Sequence, residues 1–221
     1  MLSNLFLIAR HGTTRLNSQN AYRGWSNGPD ADLDSDGLQA AVDAAHFLSK
    51  MKSPIRRVIC SDLNRAVNTA SIVCTMLGIS EFETDGRLRP LNVGDLAGKN
   101  KKENPIQKYL ADKDLRFPNG ETVNEFEKRQ HQLAEQIINQ IAAGKLEPGE
   151  LLVIAHVSNI MYWLNVQSGK DSDEYLDEAT DLVGPGGIVI VTDESVIPIL
   201  KWSPVAIENE NVAEDKTMAV S

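Results

Sequence analysis

Short continuous apolar runs alternate along this chain with longer stretches in which apolar residues recur every three or four positions. Runs of the first kind are typical of strands buried on both faces, and stretches of the second kind are typical of amphipathic helices. The runs predict strands at Leu5–Ala9, Arg57–Cys60, Glu81–Thr84, Leu151–Ala155, Ile188–Thr192 and Val196–Trp202. The spacing predicts helices over Ser35–Met51 and Asp62–Leu77, from Thr122 to near Gly144, and after His156 through Trp163.

Polar residues at the ends of these stretches support the predicted helix boundaries. Ser61 or Asp62 can cap the start of the second helix, and Gly78 follows its last apolar position. Thr122-Val123-Asn124-Glu125 has the spacing of a capping box. The segment Leu88–Lys102 has no sustained period, and it predicts a long loop of the kind that often carries function.

The alternation of strands and helices predicts the fold class. It favours a three-layer αβα sandwich with a largely parallel central sheet. We expect residues 1–204 to form one α/β domain. Residues 205–221 contain few large apolar side chains and several acidic ones, which predicts a flexible acidic tail.

Composition and charge narrow the classes of function. The chain has 221 residues, of which 42% are hydrophobic and 24% charged, as is typical of one compact soluble domain. Its net charge of −9 disfavours binding to a nucleic-acid backbone.

Cys60 and Cys74 do not have the spacing of metal ligands, and we interpret them as small buried hydrophobic residues. The apolar start lacks a basic flank and ends in Arg10-His11, so we expect a cytoplasmic protein with no membrane contact.

Basic side chains follow three of the predicted strands at the point where each strand ends. Arg10 and His11 follow the first strand, His156 follows another buried strand, and Arg65 lies in the helix after the strand ending at Cys60. Ligands of open α/β sheets bind at the carboxyl edge of the strands. Guanidinium groups match the geometry of phosphate oxygens, and a neutral imidazole can attack phosphorus. These residues therefore predict a site for a phosphoryl compound at this edge of the sheet.

Several ordered motifs resemble the histidine phosphatase superfamily, which includes the cofactor-dependent phosphoglycerate mutases. Arg10–Asn17 reads Arg-His-Gly-Thr-Thr-Arg-Leu-Asn and looks like the Arg-His-Gly-x-Thr-x-x-Asn signature of that family. Further segments similar to family motifs are Arg23–Trp25, Leu33–Ala40, Ser61–Ala66 and Pro118–Thr122. The matches span residues 5 to 160 in the expected order, and they imply a phosphoglycerate mutase-like fold.

The resemblance also implies a role for each matching residue. His11 matches the nucleophile that accepts the phosphoryl group and becomes phosphohistidine. The residues that match the positions holding the phosphoryl oxygens are Arg10, Asn17, Arg65 and His156. Arg23 and Gly24 match positions that contact substrate beside this pocket. The resemblance implies no metal ion and no other cofactor.

One departure from the family pattern concerns the proton donor. The family usually places a Glu in a Leu-Arg-Glu segment, and here Leu88-Arg89-Pro90 puts a proline at that position. A general acid contributes about 10²–10⁴-fold, mostly where the leaving group is poor. Three alternatives stay open: Asp95 on the same loop donates the proton, the substrate has a better leaving group, or the enzyme is weak.

These observations favour a metal-independent phosphatase that acts on a phosphomonoester or related phosphoryl compound through His11. Two alternatives remain: a phosphotransferase of the phosphoglycerate mutase type, and a catalytically weak protein that binds phosphorylated ligands. A mutase would be expected to keep the Glu, and mere binding would not require His11. The expected partner is a small phosphorylated substrate, although a phosphoprotein also fits.

Overall fold

The computed structural model describes residues 4–52, 54–168, 183–192 and 195–200. The strands in these ranges are β1 (Asn4–Arg10), β2 (Arg57–Cys60), β3 (Glu83–Thr84), β4 (Leu151–Ala155), β5 (Ile188–Thr192) and β6 (Val196–Leu200). The helices are α1 (Arg15–Ser18), α2 (Ser35–Ser49), α3 (Asn64–Leu77), α4 (Gln107–Ala111), α5 (Val123–Ala142) and α6 (Val157–Ser168). No helix among the described residues is long and apolar enough to cross a membrane.

The strands form one mixed, mostly parallel sheet. Their order is β3-β2-β4-β1-β5-β6, with parallel pairing from β3 through β1. Strand β5 runs antiparallel to both of its neighbours. The predicted largely parallel sheet is therefore confirmed. The carboxyl ends of β2, β4 and β1 lie side by side, because these three strands are consecutive in the sheet.

Helices cover both faces of the sheet, which confirms the three-layer architecture. Alternate residues of β1 point to opposite faces, so Phe6 and Ile8 join one core while Leu7 and Ala9 join the other. The first core also contains apolar side chains of α5 and α6, namely Phe126, Leu133, Ile137, Ile160 and Trp163. The second contains residues of α2 and α3, among them Ala44, Leu48, Ala70 and Val73. Cys60 and Cys74 lie buried in this second core as free thiols, as predicted.

Local signals located some helix ends correctly and others not. The capping box is present, since Thr122 Oγ1 accepts from Glu125 N at 3.0 Å and Glu125 Oε2 accepts from Thr122 N at 3.0 Å. Gly78 ends α3 in the left-handed conformation, with φ of 70°. The prediction that Ser61 or Asp62 caps α3 is wrong, because the extended residue Leu63 precedes the first helical residue.

Other predictions are corrected in extent. Helix α2 ends at Ser49, and strand β3 has only two residues. The short helices α1 and α4, with four and five residues, were not predicted. The loop Leu88–Lys102 contains one turn of 3-10 helix, at Gly94–Leu96. The acidic tail from residue 205 and the position Trp202 lie outside the described residues.

Candidate active site

The sheet brings His11 and His156 together at its carboxyl edge. Arg10, the last residue of β1, is paired in register with Ala155, the last residue of β4. The next residues are His11 and His156, whose ring centroids lie 5.0 Å apart. The backbone N–H of His11 donates to the carbonyl oxygen of Ala155 at 3.0 Å, which fixes this juxtaposition.

The hydrogen bond of the His11 ring defines its tautomer. Nδ1 lies 2.6 Å from the carbonyl oxygen of Gly12, which can only accept, so Nδ1 carries the proton and Nε2 the lone pair. Nε2 is buried and has no hydrogen-bond partner in the part of the chain that the structure describes. Burial, followed by the charges of Arg65, Arg23 and Arg10, holds the ring's pKa well below 6.5. The His11 ring is therefore neutral at pH 7, with its lone pair free for a ligand.

His156 is equally buried and neutral. Neither of its ring nitrogens has a hydrogen-bond partner among the described residues. Burial, and then the charge of Arg65, lowers its pKa well below 6.5. Its backbone N–H donates to Asn159 Oδ1 at 3.2 Å, and Asn159 Nδ2 donates to Gln130 Oε1 at 2.9 Å. This chain fixes the backbone and leaves the imidazole available.

Two buried arginines stand beside the histidines, and their hydrogen bonds go to neutral carbonyl groups. Arg10 Nη1 donates to the oxygen of Val183 at 2.9 Å. Arg65 donates from Nη1 to Ser26 O and from Nη2 to Gly24 O, both at 2.9 Å. Buried N–H donors without partners in the described part of the chain remain at Nε of Arg10 and Nε of Arg65. A buried N–H group without an acceptor costs folding free energy. The binding of an anionic ligand, which would supply acceptors, is therefore favoured at these two groups.

Arg23 completes a cluster of three cations. It is half-buried, and its Nη1 is buried without a partner among the described residues. Burial, with repulsion from Arg23, lowers the pKa of Arg10 and that of Arg65 to about 9, and burial alone lowers that of Arg23 to about 10. All three still carry their protons at pH 7. The protein has a net charge of −9, yet this edge of its sheet is locally positive.

Asn17 and Gly24 lie in the segments around this cluster. Asn17 Oδ1 accepts from the backbone N of Thr14 at 3.0 Å and from Thr14 Oγ1 at 2.9 Å, which starts α1 and leaves only the amide NH₂ to donate. Gly24 contributes its carbonyl group to Arg65 and has a φ of 48°. A Cβ there would lie 3.1 Å from Val93 Cγ2, so the loop passes closely over Val93.

The side chain of Asp95 makes its hydrogen bonds away from the two histidines and the three arginines. Its side chain is exposed, and its Oδ1 and Oδ2 accept from Asn119 Nδ2 at 3.1 and 3.0 Å. Its backbone N–H donates to Pro118 O at 2.9 Å. No contact within the described ranges connects Asp95 with His11 or His156. A role for Asp95 as proton donor therefore stays a prediction.

Pro90 sits in a loop that a buried ion pair holds in place. The five N–H groups of Arg129 are all used: they donate to the carbonyl oxygens of Arg87, Arg89 and Pro90 and to the carboxylate of Glu121. Pro90 O also accepts from Trp25 Nε1 at 2.8 Å. The loop that usually carries the family's acid is thus clamped around a residue that cannot donate a proton.

Sequence reasoning missed Asp32. Its Oδ1 is buried and has no hydrogen-bond partner in the described part of the chain. Its charge partly offsets the effects of burial and of Arg23, which lower the pKa of Arg65. Asp32 follows the 3-10 turn Pro29–Ala31 and precedes Leu33, which pairs with Thr14, three residues after His11. No motif marks this position, so only the folded chain shows that a carboxylate lies beside the arginines.

A metal site is not evident among the described residues, where no group of three or more His, Cys, Asp or Glu side chains could hold an ion. The three arginines instead supply positive charge directly. Together with the neutral, buried imidazoles of His11 and His156, they line a pocket whose positive charge suits an anionic ligand.

Several known proteins are similar to this chain in sequence. A family model of the histidine phosphatase superfamily (branch 1) matches residues 6–201. A 2,3-bisphosphoglycerate-dependent phosphoglycerate mutase of Mesorhizobium japonicum is 25% identical over 182 residues, covering 78% of this chain and 85% of that protein. A probable phosphoglycerate mutase of Escherichia fergusonii is 33% identical over 131 residues, covering 56% of this chain and 58% of its own length.

Solved structures agree on the fold. The structure of a mycobacterial glucosyl-3-phosphoglycerate phosphatase superposes with a TM-score of 0.67 at 20% identity, covering 91% of this chain and 99% of that chain. The family match covers most of the sequence and includes both histidines and all three arginines of the pocket. The chain belongs to the histidine phosphatase superfamily.

Proposed function

We propose that the protein is a metal-independent phosphatase that hydrolyses a phosphomonoester or related phosphoryl compound through a phosphohistidine on His11. The observation that carries this proposal is the state of the His11 ring: Nδ1 is bound to Gly12 O at 2.6 Å, and Nε2 is buried without a partner among the described residues. The ring is thereby prepared as a nucleophile rather than as a structural hydrogen-bonding group.

In the first step the lone pair of His11 Nε2 forms a bond to phosphorus. The bond between phosphorus and the leaving oxygen breaks, and that oxygen leaves with the electron pair and takes up a proton from solvent water. Negative charge on the three remaining phosphoryl oxygens is stabilised by the free N–H donors of Arg10, Arg23 and Arg65. Because burial keeps these donors dry and fixed, each contributes to the transition state without reorganisation.

In the second step water replaces His11 on phosphorus. The water oxygen forms the new bond, the bond from phosphorus to Nε2 breaks, and one proton of the water is released as orthophosphate forms. His11 regains its lone pair. His156 lies 5.0 Å from the His11 ring, between centroids, and has both ring nitrogens free among the described residues, so it can bind a phosphoryl oxygen in both steps.

A phosphotransferase of the mutase type is the second candidate. It is favoured by the relatives named phosphoglycerate mutases, one of which matches 78% of this chain. In that reaction a substrate hydroxyl, and not water, would take the phosphoryl group from His11. We prefer the phosphatase, since Pro90 stands where such a mutase would be expected to keep its Glu.

The test is phosphate release from a series of aryl and alkyl phosphates without added metal. We expect release by the unaltered chain and none above background for His11→Ala. The matched control is His46→Ala, which removes a solvent-exposed histidine of α2 and should leave the rate unchanged. Transfer of the phosphoryl group to an added alcohol in preference to water would favour the phosphotransferase. Binding of phosphate with no turnover of any compound would overturn both.

The same series tests Asp95. Because its carboxylate is exposed and bound to Asn119, we expect Asp95→Asn to leave turnover unchanged for good and poor leaving groups alike. A selective loss for alkyl phosphates, whose leaving oxygens need a proton, would instead identify Asp95 as the donor.

A further inference from the structure

One buried hydroxyl connects the loop of His11 with the helix of Arg65. Thr69 on α3 is 1% exposed. Its Oγ1 donates to the carbonyl oxygen of Arg65 at 2.7 Å and accepts from the backbone N–H of Gly12 at 3.2 Å. Since the hydroxyl proton is committed to Arg65 O, the Oγ1 lone pair is left to receive the Gly12 N–H.

Gly12 is the residue whose conformation decides the His11 tautomer. Its carbonyl oxygen accepts the Nδ1 proton of His11 at 2.6 Å, so rotation of that carbonyl would release the ring. A glycine has unusually wide backbone freedom and needs external anchors to keep one conformation. The position must be glycine, because a Cβ there would lie 2.2 Å from the carbonyl oxygen of Gly37.

The chain on the carboxyl side of Gly12 is anchored by Asp34, the N-cap residue of α2. The backbone N of Asp34 donates to Thr13 O at 3.2 Å, and Thr13 Oγ1 donates to the Asp34 carboxylate. On the amino side the corresponding anchor of the Gly12 N–H is Thr69. The two anchors together fix the two backbone dihedrals of Gly12 and hence the direction of its carbonyl group.

We propose that Thr69 is a positioning residue, whose hydroxyl holds the His11–Gly12 peptide so that Gly12 O keeps the proton on Nδ1 and the lone pair on His11 Nε2. The same hydroxyl keeps this loop in register with Arg65 across the pocket. The inference rests on the proposed function, since it assigns Thr69 to the preparation of that nucleophile.

Thr69→Val removes the hydroxyl and preserves the branched shape. It leaves the Gly12 N–H buried without an acceptor, so Gly12 gains freedom and part of the His11 population shifts its proton to Nε2. We expect kcat to fall roughly 10- to 100-fold, as for a misplaced reacting group. KM should change less than kcat, because Thr69 contacts the backbone carbonyl of Arg65, whereas the guanidinium group keeps its bonds to Ser26 O and Gly24 O. Thr69→Ser keeps the hydroxyl and should recover most of kcat.

The matched control lies on the same helix. Thr75 is exposed, and its Oγ1 donates to Ser71 O at 2.8 Å, which is the same bond to the carbonyl four residues earlier. Thr75→Val therefore repeats the chemical change and its effect on α3 without touching the Gly12 loop. We expect wild-type kcat and KM for this variant.

The deciding readout is the tautomer of His11, measured by long-range ¹⁵N–¹H correlation spectra of the imidazole and assigned with His11→Asn. We expect a proton on Nδ1 alone in the wild type and in Thr75→Val, and a mixture in Thr69→Val. An unchanged tautomer and kcat in Thr69→Val would overturn the proposal, as would a Thr69→Ser variant as impaired as Thr69→Val. If the valine variant does not fold, Thr69→Ala takes its place with the same expectations.

The spectra also separate this inference from the proposed function. They need no substrate, so a wild-type protein that releases no phosphate refutes the phosphatase and still shows whether Thr69 sets the tautomer. A wild-type protein that releases phosphate while Thr69→Val keeps Nδ1 protonated refutes only the inference.

Discussion

Acidification should weaken the fold through the two buried histidines of the pocket. Burial and the nearby arginines hold the pKa values of His11 and His156 well below 6.5, whereas in the unfolded chain both return to about 6.5. Between pH 7 and pH 5.5 the unfolded state therefore takes up protons that the folded state does not. The free energy of unfolding is therefore highest at a pH above the pKa that the two histidines have in the unfolded chain, and it decreases as the pH falls below that value.

The magnitude follows from the proton balance. For a histidine that stays unprotonated in the folded protein, the uptake by the unfolded chain from pH 7 to pH 5.5 lowers the free energy of unfolding by about 1 kcal/mol, and for the pair by about 2–3 kcal/mol. That is a large share of the roughly 5–15 kcal/mol that holds a typical domain folded. Urea denaturation across this pH range, in buffers free of phosphate, measures it directly.

The comparison that isolates the effect uses paired substitutions. A His11→Asn, His156→Asn variant should lose about 2–3 kcal/mol less than the wild type over the same range, whatever its absolute stability. The matched control replaces the two exposed histidines, His46 and His131, with glutamine and should follow the wild type. Equal losses in the wild type and the His11, His156 variant would refute the reasoning, because the buried rings would then be taking up protons in the folded state.

Three further predictions concern the charges around the pocket. Vanadate at 100 times its dissociation constant should stabilise the fold by about 2.7 kcal/mol, which is measured as a raised Tm. Arg65→Gln should abolish most of this rise, and an equal rise in the variant would contradict the binding of the anion by the arginines. The Asp32→Asn variant should bind inorganic phosphate several-fold more tightly in a competition assay, because the substitution removes a buried negative charge beside Arg65. Weaker binding would contradict this and would show that Asp32 orients the arginine. Arg129→Met should lower the free energy of unfolding by about 3–5 kcal/mol in urea denaturation, because the buried Glu121 carboxylate keeps the Asn92 N–H but loses its counter-ion. A loss under 1 kcal/mol would contradict the clamp.

The residues of the pocket that could be placed from sequence are those whose position follows from a strand end. His11 and His156 each come directly after a buried apolar run, and parallel neighbouring strands deliver such residues to one edge. Arg65 follows the same logic by way of the helix after β2. Local sequence suffices here, because strand polarity and the βα alternation determine the placement.

Other features depend on contacts that no local pattern records. The start of α3 was misplaced because Leu63 occupies the cap position with no side-chain hydrogen bond, so the polar residues before it gave a false signal. Helix α1 has four residues, too few for a periodic pattern. The clamp of Arg129 on Pro90 spans 39 positions and the bond of Thr69 to Gly12 spans 57, so both exist only once the sheet has formed.

The most direct test of the account is to trap the phosphoenzyme. The protein is mixed with a ³²P-labelled aryl phosphate, quenched with base within milliseconds, and digested so that the label can be assigned by mass spectrometry and ³¹P NMR. We predict an acid-labile, base-stable phosphoryl group on Nε2 of His11, absent in His11→Ala. Steady release of phosphate with no label on the protein, or a label on Nδ1 or on another residue, would contradict the central claim.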